Sequence, residues 1–435
     1  MKKHKVSHKF KLVVSLSTAL VAVPFMVQAQ TQPTQSWYQQ KQLTGDWGGV
    51  RTKLVNDGIT THFDLTSQFG GVVSGGKEQG HDYAQQLTAK LDFDLEKLIG
   101  LKGGKFHFYV NDRSGRNISS DFVGSKFSNF GIYGAGENFR LINASYEQDL
   151  FHKHLNLLAG YYPLGNEFAN TPALCGFTSN AFCAHAQFFP NGSGWLDAPT
   201  ASWGGRVKYN ITPALYIETG VFESNPLLAK HNNYGWHLSL QGATGSVIPL
   251  EIGKTVFIGS NRLVGHYKVG GYYDSSEVAD VRYKSIERRG RYGGYILADQ
   301  SVYNFDKSGK RNITLFAQAM MGDKRTSVIS SWYTLAVVAN GPFAARPNDR
   351  MSLGWSKANV NPRALSAAYA SLQAKDDYST TLYPAEQLVE LSYNIAVLPS
   401  TYITPDVQYD IKPGAFAYKQ YPNAWILSTQ LKVNF

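Results

Sequence analysis

The chain has 435 residues, with 42 Lys and Arg against 32 Asp and Glu, 43% hydrophobic residues, 41 Gly, 26 Tyr and 24 Phe. A mean hydropathy of −0.26, with no stretch of about eighteen apolar residues beyond the N-terminal region, excludes a helical membrane protein. The formal charge of +10 is weak evidence for nucleic acid, because five of the lysines (Lys2, Lys3, Lys5, Lys9 and Lys11) precede an apolar run that reads as a leader.

That run extends from Leu12 to Val27, contains Pro24 and ends in "VQAQ". A basic stretch, a short apolar stretch and small residues predict a secretory signal peptide over residues 1–29, cut after Ala29. A segment over residues 30–59 follows. In "LTGDWGGVRTKLVNDGI", Asp46 is expected to cap a short helix with Trp47, Val50 and Leu54 on one face, Arg51 and Lys53 on the other, and Gly58 as terminator. This helix is expected at the periplasmic mouth of whatever follows.

From residue 60 onward the pattern is period two, broken by Gly, Asn, Asp and Pro. Sixteen such segments begin near Thr61, Gln86, Gly104, Arg140, Leu155, Ser202, Ala214, Ser246, Asn261, Gly294, Asn312, Trp332, Arg350, Glu386, Thr401 and Ala424. The eighth carries Pro249, and the tenth, "GYILADQSVYNF", has no clean parity. No comparable amphipathic helix is read between them, which argues against an α/β enzyme.

The connections alternate in length. Those after even strands are short, as in "FHKH", "NITP", "DKSGKR" and "PS". Those after odd strands are mostly long: residues 111–139, 165–201, 274–293 and 356–385. Such sorting is expected of an all-β, sixteen-stranded antiparallel transmembrane β-barrel with tight periplasmic turns and elaborated outer loops. In the last strand, "AWILSTQLKVNF", Trp425, Leu427, Thr429, Leu431, Val433 and Phe435 share the parity expected to face lipid. Lipid cannot satisfy an open sheet edge, so this strand must pair with the first. "LTAKLDFDL" likewise turns Leu87, Ala89, Leu91, Phe93 and Leu95 outward, and Lys90, Asp92 and Asp94 into a lumen.

Parity selects the candidate pore-lining residues Asp64, Arg113, Arg206, Lys208, Glu218, Lys268, Glu390 and Asp406. On strands of clear parity the inward positions carry seven basic residues (Lys90, Lys105, Arg113, Arg206, Lys208, Lys268, Lys432). They also carry ten acidic ones (Asp64, Asp92, Asp94, Glu147, Asp149, Glu218, Glu386, Glu390, Asp406, Asp410). Mixed signs with aromatic rings suit neutral polyols, whose hydroxyls both donate and accept; a phosphate pore should show one basic sign. Each residue taken singly also reads as half of a wall salt bridge. The longest connection, residues 165–201, carries Cys175, Cys183, Phe188, Phe189 and Trp195, and is expected to fold inward as the constriction. In an exported protein Cys175 and Cys183 read as a small disulfide; a metal site would need further His or carboxylate ligands at suitable spacing.

Three blocks, "LTGDWGGVRTKLVNDGI", "SWGGRVKYNITPALYIETGVFESNP" and "PAEQLVELSYNIAVLPSTYITPDVQYDIKPG", together with the terminal strand, resemble the OprB family of carbohydrate-selective porins. The resemblance implies a sixteen-stranded outer-membrane pore admitting sugars. The expected function is passive diffusion of monosaccharides and small polyols, with small sugars and outer-membrane lipid as partners, no nucleic acid, no cofactor or metal, and a monomer or homotrimer as the unit. Other readings are a porin for small organic acids or phosphate, a barrel enzyme, or a soluble sugar-binding β protein. No GxSxG, HExxH, Walker A or GxGxxG motif supports an enzyme.

Overall fold

In the computed structural model, residues 36–435 are described, apart from 134–135, 175, 183–187, 231–234 and 237. Period-two sequence becomes sixteen strands: β1 Ile59–Ser74, β2 Gly80–Asp94, β3 Gly104–Gly115, β4 Asn138–Leu150, β5 Leu155–Tyr162, β6 Ser202–Thr212, β7 Leu215–Ser224, β8 Gly245–Ile258, β9 Leu263–Ala279, β10 Glu287–Asn304, β11 Asn312–Gly322, β12 Ile329–Asn340, β13 Arg350–Val360, β14 Ala385–Leu398, β15 Thr401–Ile411 and β16 Ala424–Asn434. Each pairs antiparallel with its neighbours in order, and β16 pairs with β1 from Asp64 opposite Asn434 to Ser74 opposite Trp425, closing the barrel. Closure leaves no unpaired edge in the membrane. The alternation of short and long connections holds from β3 to β9 and again from β13 to β16, and is lost at β1–β3 and β9–β13, where connections of five to nine residues stand at both ends.

Four short helices accompany the strands: α1 Val50–Asn56, α2 Leu95–Ile99, α3 Phe188–Gly192 and α4 Pro362–Gln373. The last was not anticipated. Asn361 accepts from the Arg363 N–H at 2.9 Å and Pro362 starts the helix, so the signals were local, an N-cap and an Ala-rich run. The connection read as residues 274–293 is shorter: β9 and β10 continue to a seven-residue turn, and β10 carries one bulge at Gly290, whose φ is +82°, and a second between Ser301 and Tyr303, inside the segment without clean parity.

The N-terminal helix begins later than expected. A 3-10 turn at Trp47–Gly49 intervenes, and Asp46 Oδ1 instead accepts from Thr52 N at 2.8 Å and Thr52 Oγ1 at 2.9 Å. Its faces are partly exchanged: Arg51 is buried, donating to the backbone oxygen of Phe435 at 2.9 Å with its guanidinium 4.1 Å from the Trp47 ring, and Val50 is exposed, while Lys53 is exposed and Leu54 half-buried as expected. The charged side chain is drawn inward because a backbone acceptor at the barrel end offers it a partner. Gly58 does terminate the helix; its φ is +100° and a Cβ there would meet Asp94 O at 2.9 Å. The leader and both cysteines lie outside the described residues.

Inside the barrel, the connection between β5 and β6 (residues 163–201) folds inward, and so does part of that between β3 and β4 (residues 116–137). The two join through Gly131 N to Thr178 O at 2.9 Å and Asn180 N to Ser128 O at 2.8 Å. Phe168, Phe177, Phe182, Phe188, Phe189 and Trp195 are buried against inward side chains of β9–β14, including Tyr272, Tyr295, Leu297, Phe316, Met320 and Trp332. Most of that packing lies against β9–β14, and the same core takes in Leu158 and Tyr162 of β5, Phe222 of β7 and Val247 of β8.

Candidate pore constriction and its wall

A polar ladder follows the inward positions of successive strands from β2 to β9. On β2 and β3, Asp92 Oδ1 faces His107 Nδ1 at 2.5 Å and accepts from Tyr109 OH at 2.5 Å. His107 Nε2 lies 3.1 Å from Glu147 Oε2 on β4, and Asn156 on β5 donates to Glu147 and Asp149 at 2.7 Å each. Asn156 Oδ1 in turn accepts from Arg206 Nη1 on β6.

Arg206 and Lys208, two residues apart, project from one face of β6 as the period of a strand requires. Arg206 Nη2 is 2.9 Å from Glu167 Oε2, which the inward loop contributes, and Arg206 Nε is 4.0 Å from Glu218 Oε2 on β7. Lys208 Nζ is 3.6 Å from the same Glu218 oxygen and 3.7 Å from the centre of the Tyr216 ring. Next around the wall, Glu251 on β8 takes Lys268 Nζ of β9 at 3.2 Å, Tyr216 OH at 2.5 Å, Tyr295 OH at 2.7 Å and the loop's Ala169 N–H at 2.7 Å. Charges so buried are tolerable only when paired: Glu251 is paired and hydrogen-bonded, whereas Glu218 has only its ion pairs with Arg206 and Lys208.

The arrangement is layered. Glu218 and Glu251 side chains are 1% and 0% exposed, whereas Lys208 and Lys268 keep 30% and 17%. Carboxylates sit behind and cationic tips face the water, with the loop carboxylate Glu167 at 24% beside them. Glu218 Oε1 is buried and has no hydrogen-bond donor. A face with ammonium and guanidinium donors beside a carboxylate and tyrosine rings can bind hydroxyls as donors and acceptors at once.

Of the sequence-selected residues, the structure brings Arg206, Lys208, Glu218 and Lys268 together around the inward loop. Asp64 lies apart, at a periplasmic cavity of about 210 Å³ that also includes Lys41, His62 and Phe435. Arg113, near the outer end of β3, donates from Nε to Gln86 Oε1 at 2.7 Å. Glu390 and Asp406 do not join the ladder. Both are buried beneath the loops: Glu390 accepts from Thr178 N at 2.7 Å and Ser179 N at 3.2 Å, and Asp406 from Gln408 Nε2 at 2.8 Å and from Ser428 Oγ. Parity correctly points them inward, but an inward position under a folded loop is dry.

The same holds for Glu386 and Asp410. Glu386 accepts from Lys126 N at 2.7 Å, and Asp410 from Asn129 Nδ2 at 2.7 Å. Asp274 accepts from Gly194 N at 2.7 Å and Asp299 from Thr171 Oγ1 at 3.1 Å. These wall carboxylates fasten the loops, a role sequence reasoning missed because an Asp that meets water and one that meets a loop N–H have the same letter. Residues it also missed are Glu167, Glu251, Tyr216 and Asn156; Glu251 hid in the strand that Pro249 obscured. A concavity of about 910 Å³ on the outer wall, which includes Ile252, Val269, Ile296, Ala298 and Leu335, faces lipid and is no part of the solute path.

The family model described as "Carbohydrate-selective porin, OprB family" matches residues 78–435. Porin B of Pseudomonas aeruginosa is 30% identical over 404 residues, covering 86% of this chain and 87% of that protein. A putative porin, QuiX, of Acinetobacter baylyi is 27% identical over 447 residues, covering 98% and 100%. The high-pH structure of Pseudomonas putida OprB superposes with a TM-score of 0.86 at 28% identity, covering 92% of this chain and all of that one. With barrel, inward loops and family match in agreement, the chain is an outer-membrane protein belonging to the OprB family of carbohydrate-selective porins.

Proposed function

We propose that this porin passes monosaccharides and related small polyols by passive diffusion past the polar ladder of β2–β9. The observation that carries this is the ladder around Arg206, Lys208, Glu218, Glu251 and Lys268, where every charge is paired and the exposed face mixes donors, an acceptor and rings. A neutral polyol exchanges water hydrogen bonds for these without carrying net charge past them. The channel needs no energy source and no cofactor on this reading, and its role is transport and not catalysis. Cys175 and Cys183 are read as joined within the inward loop, where a short covalent ring stiffens the constriction; mass spectrometry of the oxidised native protein should find no free thiol. Residues 1–29 are read as a cleaved leader.

The second reading, a pore for small organic acids or phosphate, draws support from the layering, since cationic tips face the water while most carboxylates stand behind them. Proteoliposome uptake separates the two. Glucose flux above phosphate flux at equal concentration supports the polyol reading, and the reverse order favours the anion pore.

A further inference from the structure

The outer ends of β9–β12 carry a second charged feature that the solute path does not use. β9 and β10 are the longest strands, at 17 and 18 residues, where roughly 9–11 suffice to cross a bilayer, so their hairpin stands above the hydrocarbon on the outer side. Its turn, residues 280–286, is built around the buried Asp280. That carboxylate accepts from the backbone N–H groups of Arg282 at 2.9 Å and Tyr283 at 3.2 Å, from Arg288 Nε at 3.1 Å and from Arg363 Nη2 of α4 at 2.8 and 2.9 Å. Val281 N–H donates to Arg325 O in the β11–β12 connection, and Asn361 N–H to Val328 O, both at 2.8 Å. Three loops thus form one fixed cap.

Around this cap Arg282, Lys284, Arg289, Lys324 and Arg325 are exposed. The first four form no ion pair among the described residues, and Arg325 Nε lies 3.8 Å from the buried Asp323. The exposed carboxylates on the same hairpin are Glu277, across the ladder from Arg289, and Glu287. Just below, the cross-strand partners Tyr273 and Tyr292 are exposed on the outward face, at 47% and 56%. Aromatic rings on the lipid face of a barrel mark the membrane interface. Unpaired cations on a rigid frame therefore begin where headgroups begin.

We propose that this band binds the phosphate groups of the glycolipid in the outer leaflet. The frame already holds the backbone in place, so docking a phosphate orders side chains only. Guanidinium groups supply paired donors and lysines a point charge to the phosphate oxygens. Each cation near an anionic leaflet is worth about fivefold in binding at physiological salt.

The test uses the full-length protein, purified in detergent and delipidated, with native mass spectrometry after adding hexa-acyl lipid A carrying both phosphates. Retention should fall at least tenfold in the variant Arg282→Ala/Lys284→Ala/Arg289→Ala/Lys324→Ala. It should be unchanged in Lys307→Ala/Lys310→Ala, which alters the exposed periplasmic turn. Should the fourfold variant not fold, judged by heat-modifiable migration in SDS, the wild-type barrel still decides the matter: dephosphorylated lipid A should bind at least tenfold more weakly than the phosphorylated form. Equal binding of the two lipids, or unchanged retention by a folded fourfold variant, overturns the proposal. Displacement of lipid A by inorganic phosphate at equal concentration also overturns it, because the band would then be a site for free anions.

Discussion

Arg206 and Lys432 both face the lumen by parity, yet only Arg206 stands in the ladder, between Asn156, Glu167 and Glu218. Replacing it with Ala removes a paired guanidinium and leaves Glu167 and the buried Glu218 short of a cation, a loss in the range of about 3–5 kcal/mol for a broken buried pair. In planar bilayers Arg206→Ala should weaken glucose block of the ion current at least fivefold and raise cation selectivity, while Lys432→Ala should change block by less than about twofold. Glu390 is a different kind of residue. Glu390→Ala strips acceptors from the N–H groups of Thr178 and Ser179, at about 1–3 kcal/mol for each buried donor left unmade. Single-channel records should then show noisier and larger conductance with little change in sugar affinity; a quiet wild-type trace from this variant would show that the loop is held by other contacts. Parity made both residues legible as inward. Whether water or a loop lies above them depends on contacts between residues some two hundred positions apart, which no local pattern carries.

Among the elements, strands with mostly polar or small inward residues and apolar outward ones were read most sharply. β13, β15 and β16 start where the alternation starts. β10 was obscured because Tyr295 and Leu297, which point inward, are buried against the loop core while Ile296 is exposed to lipid, so both faces are apolar and period two fades. α1 was legible as a helix but not in the burial of Arg51, whose partner is a backbone oxygen at the far end of the chain. The turn around Asp280 yields a pH prediction. Burial works against ionisation of that carboxyl, but hydrogen bonds from Arg363, from the Arg282 and Tyr283 N–H groups and from Arg288 prevail and hold it well below the usual aspartate range. A lowered folded-state pKa gives stability that is complete above the unfolded value of about 3.9 and is lost as pH falls below it. Hydrogen-exchange protection across residues 280–286, measured against the intrinsic rate at each pH, should therefore be the same at pH 5 as at pH 7 and fall only in stronger acid. Protection already lost at pH 5 would mean that Asp280 is not the group holding the turn.

For the whole molecule, the barrel, its strand number and its closure followed from alternation and loop lengths, whereas the filling of one side did not. The stack of Phe189 on Trp195, with ring centres 4.3 Å apart, lies in the middle of that filling and also meets Tyr272 and Tyr295. Phe189→Ala should cost about 3–5 kcal/mol by the usual measure of a deleted buried ring. The midpoint of heat-modifiable migration should fall by several degrees, and mean conductance should rise as the loop relaxes. A variant with wild-type conductance and stability would show that the ring is not part of what fixes the loop.

The filled side has a consequence before the protein reaches its membrane. β11 and β12, "NITLFAQAMMG" and "ISSWYTLAVVAN", are apolar on both faces because one face meets lipid and the other meets loop rings. They contain no Lys, Arg, Asp, Glu or Pro. In an unfolded chain crossing an aqueous compartment, such segments match the composition of self-associating strands. The dry packing that keeps the pore narrow thus makes this stretch the one most in need of a holding chaperone in transit, and the charged strands β2 to β4 the ones that travel safely alone.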